Sequence, residues 1–140
     1  MKKSYEECRV RLYKKLTDDV NNYLNIGKVL KSYNKRIYDV ALKGFSKDKS
    51  ALYYCNKIES MMIYKVAAYD RYLNMKKFLS ELKYIDKRLL IDYCQYMPTD
   101  LIASKYDISS KTIFRKIEAI NKSYELFNKR ENENCLVAEV

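Results

Sequence analysis

Histidine and tryptophan are absent from the 140-residue chain, glycine occurs twice and proline once. Without histidine there is no imidazole general base, no Ser-His-Asp triad and no histidine metal ligand. Two separated glycines cannot build the clustered loops of a Rossmann or P-loop nucleotide site. Sandwiches and barrels need many turns, and turns lean on glycine and proline. The four cysteines, Cys8, Cys55, Cys94 and Cys135, are scattered and form no CxxC pair. That spacing argues against a zinc site and fits a reducing compartment, where thiols serve as small apolar residues. No apolar run approaches the ~18 residues of a membrane span, and the first ten residues lack a signal-peptide core. The expectation is an intracellular, cytoplasmic, all-α protein that is not an enzyme, with no cofactor, no metal and no membrane partner.

What is abundant is charge and tyrosine. Charged residues make up 33% of the chain and the hydrophobic set 48%, so one folded core is affordable. Lys and Arg total 28 against 18 Asp and Glu, a formal charge of +10. A polyanion such as nucleic acid is the natural partner of that excess. A Lys-, Asn-, Ile- and Tyr-rich composition is also what an AT-rich genome produces. The excess is uneven: residues 1–85 carry +10, residues 86–128 carry +1 and residues 129–140 carry −1. Fifteen tyrosines could stack on single-stranded bases, but many fall on helical stripes, where core packing accounts for them.

Three regions follow. Residues 1–83 predict a long antiparallel helical hairpin, joined near residues 44–50, with Gly44 ending the first helix and Ser50 capping the second. The first helix, over residues 5–43, carries Leu12, Leu16, Asp19, Tyr23, Ile26, Leu30, Tyr33, Ile37 and Val40 at alternating steps of four and three. Only Asp19 breaks the apolar pattern. At 1.5 Å per residue such a helix is roughly 58 Å long and needs a partner along its length. The second helix has one stripe from Ala51 through Tyr54, Ile58, Met61, Lys65, Ala68, Tyr72, Met75 and Leu79 to Leu82. A second stripe beside it holds Leu52, Cys55, Met62, Val66, Tyr69 and Leu73. Together they are wider than one neighbour requires. Either the first helix and the C-terminal region cover both, or the surplus makes a homodimer.

Residues 84–128 have shorter elements. Asp86 is expected to cap a helix with Leu89, Leu90, Tyr93, Tyr96 and Met97 on one face, and Pro98 ends it. A short helix holds Leu101, Ile102, Ala103 and Tyr106. After a break at Asp107-Ile108-Ser109, Ser109 caps a helix from Ser110 to about Asn128 bearing Ile113, Ile117 and Ile120. Residues 129–140 lack periodicity and read as a flexible tail.

The stretch from Thr99 to Ile117 has the physics of a helix-turn-helix. Ala103 is small where two helices cross, and Ile102, Tyr106, Ile108, Ile113 and Ile117 form the wedge between them. Ser110, Lys111, Thr112 and Arg115 are then the candidates for reading base edges. Thr99, Lys105, Ser109, Lys116 and Lys122 are the candidates for holding phosphates.

Residues 84–127 resemble region 4 of the sigma-70 family, which reads the upstream promoter element. The matching residues are Ile102-Ala103, Tyr106-Asp107-Ile108-Ser109 and Thr112-Ile113, where the family shows Ile-Ala, Leu-Gly-Ile-Ser and Thr-Val. The resemblance covers about a third of the chain without a gap. Asp107 stands where the family has its turn glycine, and Tyr96 where it has a glycine before the motif. The upstream region that melts promoter DNA has no counterpart. A helical hairpin followed by such a domain is similar to small phage-encoded transcription regulators of the ArpU and RinA type. That likeness implies a sequence-specific transcription regulator in a bacterial host, acting on double-stranded DNA at promoters with RNA polymerase as second partner. Two other classes fit the residues: a phage small terminase subunit, which would form a ring of many copies, and a helical interaction module without DNA binding.

Overall fold

A computed structural model describes residues 13–44 and 50–138, with side chains up to residue 133. The chain is all-α. Its described residues form six helices: α1 (Lys14–Leu24), α2 (Ile26–Gly44), α3 (Ala51–Glu81), α4 (Tyr84–Cys94), α5 (Thr99–Tyr106) and α6 (Ser110–Ala138). The expected helical start over residues 5–12 with Leu12, the linker residues 45–49, and the side chains of Cys8 and Cys135 lie outside the described residues.

Where one unbroken first helix was expected, Asn25 interrupts it between α1 and α2. The sequence there explains the break: Asn21, Asn22, Asn25 and Gly27 are all poor helix formers. Nothing lies within 4 Å of a β-carbon built on Gly27, so packing does not require that glycine. The stripe itself persists across the break. Leu16, Asp19 and Val40 are buried, and Tyr23, Ile26, Leu30, Tyr33 and Ile37 are half-buried.

The residues separate into two compact units, one of residues 22–76 and one that unites residues 13–21 with 77–138. Within the first, Asn22 Nδ2 donates to the Ala68 carbonyl at 3.1 Å, and Tyr23 stacks on Tyr72 at 5.3 Å. A β-carbon on Gly44 would touch the Tyr54 ring at 3.6 Å. Residues 22 and 23 thus lie against the later part of α3 and Gly44 against its first turn, so the two helical stretches run antiparallel. Ser50 caps α3: its hydroxyl accepts from the Tyr53 amide at 3.2 Å.

In the other unit α4, α5 and α6 pack on one another. Leu89, Leu90, Cys94, Ile102, Ile113 and Ile117 are fully buried there. Met97 and Pro98 carry the chain from α4 to α5, with the Met97 amide donating to the Asp92 carbonyl at 3.1 Å. Two expectations are corrected. Helix α4 begins at Tyr84 after an extended Lys83, so Asp86 sits inside the first turn and does not cap it. Helix α6 continues past Asn128 to Ala138. Its extra turns are tied back to α3: Lys77 meets Glu131 at 2.9 Å, Arg130 meets Glu81 at 3.2 Å, and Phe78 packs on Tyr124 and Phe127 at 4.9 and 5.4 Å. Phe127 continues the apolar face of Ile113, Ile117, Ile120 and Tyr124, and the ion pairs hold the polar residues that follow it.

Candidate nucleic-acid interface

The turn between α5 and α6 is built by three short-range devices. Asp107 ends α5 in the left-handed region at φ 53°, ψ 48°, and its amide returns to the Ala103 carbonyl. The Ile108 amide donates to the same carbonyl at 3.1 Å. Ser109 then starts α6: its hydroxyl accepts from the Thr112 amide at 3.1 Å and lies 2.9 Å from the Thr112 hydroxyl. An aspartate tolerates the left-handed conformation better than most side chains, because it has no branch at Cβ and can bond locally.

Helical periodicity does the rest. With Ile113 and Ile117 fully buried, the opposite face of α6 is turned out, and Lys111, Phe114, Arg115, Glu118 and Lys122 are exposed along it. Lys111 and Arg115, one turn apart, pair with no carboxylate among the described residues. Ser110 and Thr112 are half-buried at the helix start. The four base-reading candidates therefore share one helix end, and two of them are unpaired cations.

The phosphate candidates are placed differently. Thr99 is 3% exposed, and its hydroxyl is buried with no hydrogen-bond partner among the described residues. That corrects the expectation that Thr99 holds a phosphate, because Thr99 opens α5 facing inward. Lys116 meets Asp86 at 3.2 Å, tying α6 to the first turn of α4. Lys105 meets Asp92 at 2.7 Å. Lys122 meets Glu118 at 3.3 Å in an exposed i,i+4 pair, the kind that contributes little and exchanges readily. Ser109 is committed to its cap.

Asp92 anchors a polar cluster that the sequence reading missed. The Tyr106 hydroxyl donates to its carboxylate at 2.6 Å alongside Lys105. Arg88 sits 3.3 Å from the Tyr84 hydroxyl and also bonds Tyr106. Burial, then the bond to Asp92, raises the Tyr106 pKa above that of free tyrosine. The bond to Asp92 raises the pKa of Lys105, and the bond to Tyr106 raises that of Arg88. Tyr84, Arg88 and Asp92 repeat at four-residue steps, which was the available signal. The cluster fixes α5 on α4 and so sets the angle at which α6 is presented. Phe114 was also missed. It is 46% exposed between Lys111 and Arg115, an apolar surface beside two cations.

Among the described residues no group of His, Cys, Asp or Glu is arranged to hold a metal ion, and no helix is long and apolar enough to cross a membrane. No protein-family model matches the chain, and no curated protein and no solved structure matches it.

Proposed function

We propose that this chain is a sequence-specific reader of double-stranded DNA that regulates transcription. The first turns of α6 enter the major groove, Lys111 and Arg115 reach base edges, and Ser110 and Thr112 stand beside them. Lys122, whose pairing is weak, turns to the phosphate backbone. Lys105 and Lys116 act mainly as struts within the domain.

The observation that carries this reading is the backbone at Tyr96 and Asp107. The resemblance to sigma-70 region 4 expects glycine at both positions. Glycine serves where φ is positive, because a β-carbon makes that conformation costly. Among the described residues, Tyr96 at φ 64° and Asp107 at φ 53° are the two non-glycine residues with positive φ. Left-handed residues close many helices, and here both fall at the two positions where the resemblance expects glycine, which is the support they lend it. RNA polymerase is the second partner this reading expects, with a phage or mobile element as its setting. Pairing of two copies through the helical hairpin is the accompanying assembly.

The test is duplex binding measured by fluorescence anisotropy over a salt series. Phosphate neutralisation releases counterions, so affinity should fall steeply as salt rises. Lys122→Ala should weaken binding and lower the slope of log affinity against log salt by about one. No duplex binding at low salt, or binding indifferent to salt, would overturn the proposal.

A further inference from the structure

The described residues of 22–76 bury four hydrophobic side chains, Val40, Tyr54, Ala68 and Met75, and leave ten large ones exposed. A unit of that size with so little core needs a further surface to cover it. The exposed residues are ordered. On α3 the stripe through Tyr54, Ile58, Met61, Ala68, Tyr72 and Met75 is buried or half-buried, with Gly44, Asn22 and Tyr23 against Tyr54, Ala68 and Tyr72. The adjacent stripe, Leu52, Cys55, Glu59, Met62, Val66, Tyr69 and Leu73, is exposed at every position. Its steps are three and four in strict alternation, and only Glu59 is charged.

We propose that this open stripe pairs with the same stripe on a second copy of the chain, antiparallel, forming a two-fold symmetric dimer. The proposal deepens the pairing of copies given above by naming its seam and direction, and it does not rest on DNA binding. A strict heptad seam fits another helix of the same repeat, because each side chain must enter a gap between four partner residues. No other helix among the described residues leaves an apolar heptad stripe open, so the matching partner is another α3. The seam spans about 32 Å at 1.5 Å per residue. With roughly 100 Å² of side chain exposed at each apolar position, two copies bury on the order of 1,200 Å², the threshold of a specific interface.

Glu59 decides the direction. A parallel, in-register pair would set two Glu59 carboxylates against each other inside the seam, which costs heavily. In the antiparallel register with the two-fold axis near Tyr64, Met62 faces Val66 of the second copy and Cys55 faces Leu73. Glu59 faces Tyr69, whose hydroxyl can donate to the carboxylate. This register also overlaps the most apolar positions. Every contact occurs twice by symmetry.

Sedimentation equilibrium of the full chain without DNA, over a concentration series, should show a monomer–dimer equilibrium. Val66→Glu buries a carboxylate against Met62 twice per dimer and should raise the dissociation constant on the order of 100-fold. Tyr64→Ala, on the opposite face of α3, should leave it unchanged. Direction is read by mild oxidation. Leu73→Cys should give a cross-linked dimer through native Cys55, and adding Cys55→Ser should abolish it. A wild-type chain that stays monomeric throughout would overturn the dimer, even if duplex binding is intact. A wild-type cross-link that depends on Cys55 alone would overturn the antiparallel direction.

Discussion

Ile117→Ala should cost about 2–5 kcal/mol of unfolding free energy, read by urea unfolding followed by circular dichroism. Ile117 is fully buried on α6, in the unit where α4, α5 and α6 pack together. Truncation removes the transfer energy of its methylenes and leaves a cavity that surrounding helices close only in part. A domain's whole stability is about 5–15 kcal/mol, so a loss of this size unfolds a visible fraction at moderate temperature. Phe114 makes the internal comparison. It is a larger side chain three residues earlier, yet 46% exposed, and Phe114→Ala should cost well under the Ile117 value. If Phe114→Ala proved the more damaging, α6 would be rotated from the orientation described and Lys111 and Arg115 would not face outward together.

Tyr124→Phe should cost about 1.5–3 kcal/mol, although it removes one oxygen atom. The Tyr124 hydroxyl donates at 2.5 Å to the Asp19 carboxylate, which is 5% exposed. The Lys15 ammonium stands 3.9 Å from the same carboxylate on a side chain 75% exposed, too hydrated to replace the buried donor. A double-mutant cycle with Asp19→Ala should return a coupling of roughly 1–3 kcal/mol. Additive losses would mean that the two residues act separately and that the bond does not hold the long α6 onto α1.

The same pair marks what could be read from the sequence. Asp19 was the lone break in an apolar stripe, and no local pattern indicates a hydroxyl 105 positions away. The stripes themselves were legible, because helical periodicity depends on neighbours three and four residues apart. So was the division of α3 into two faces, although periodicity alone does not say which face α2 covers. The turn between α5 and α6 was readable down to the Ser109 cap, since capping needs only residues within one turn. Thr99 and Asp86 went the other way. Asp86, expected to cap α4, is taken by Lys116, and Thr99, expected to hold a phosphate, faces the interior. The length of α6 was missed because residues 129–134 are all polar, and the ion pairs of Arg130 and Glu131 to α3 carry no apolar period. Of the site, helical periodicity puts Ser110, Lys111, Thr112, Arg115 and Lys116 on an outer face; Lys111 and Arg115 are exposed there, while Ser110, Thr112 and Lys116 are half-buried. The engagement of Lys105 and Lys116 depends on carboxylates of α4 and could not be read from α5 and α6 alone.

The most direct test of the central claim is a binding selection from random duplex DNA, run in parallel with the wild-type chain and with Arg115→Ala. The wild type should enrich one motif, with two-fold symmetry if two copies bind through paired α3 helices. Arg115→Ala should relax the preference at one base position by about 1–3 kcal/mol while leaving the rest of the motif in place. No enriched motif, or the same motif with unchanged preference in Arg115→Ala, would contradict base reading by the exposed face of α6.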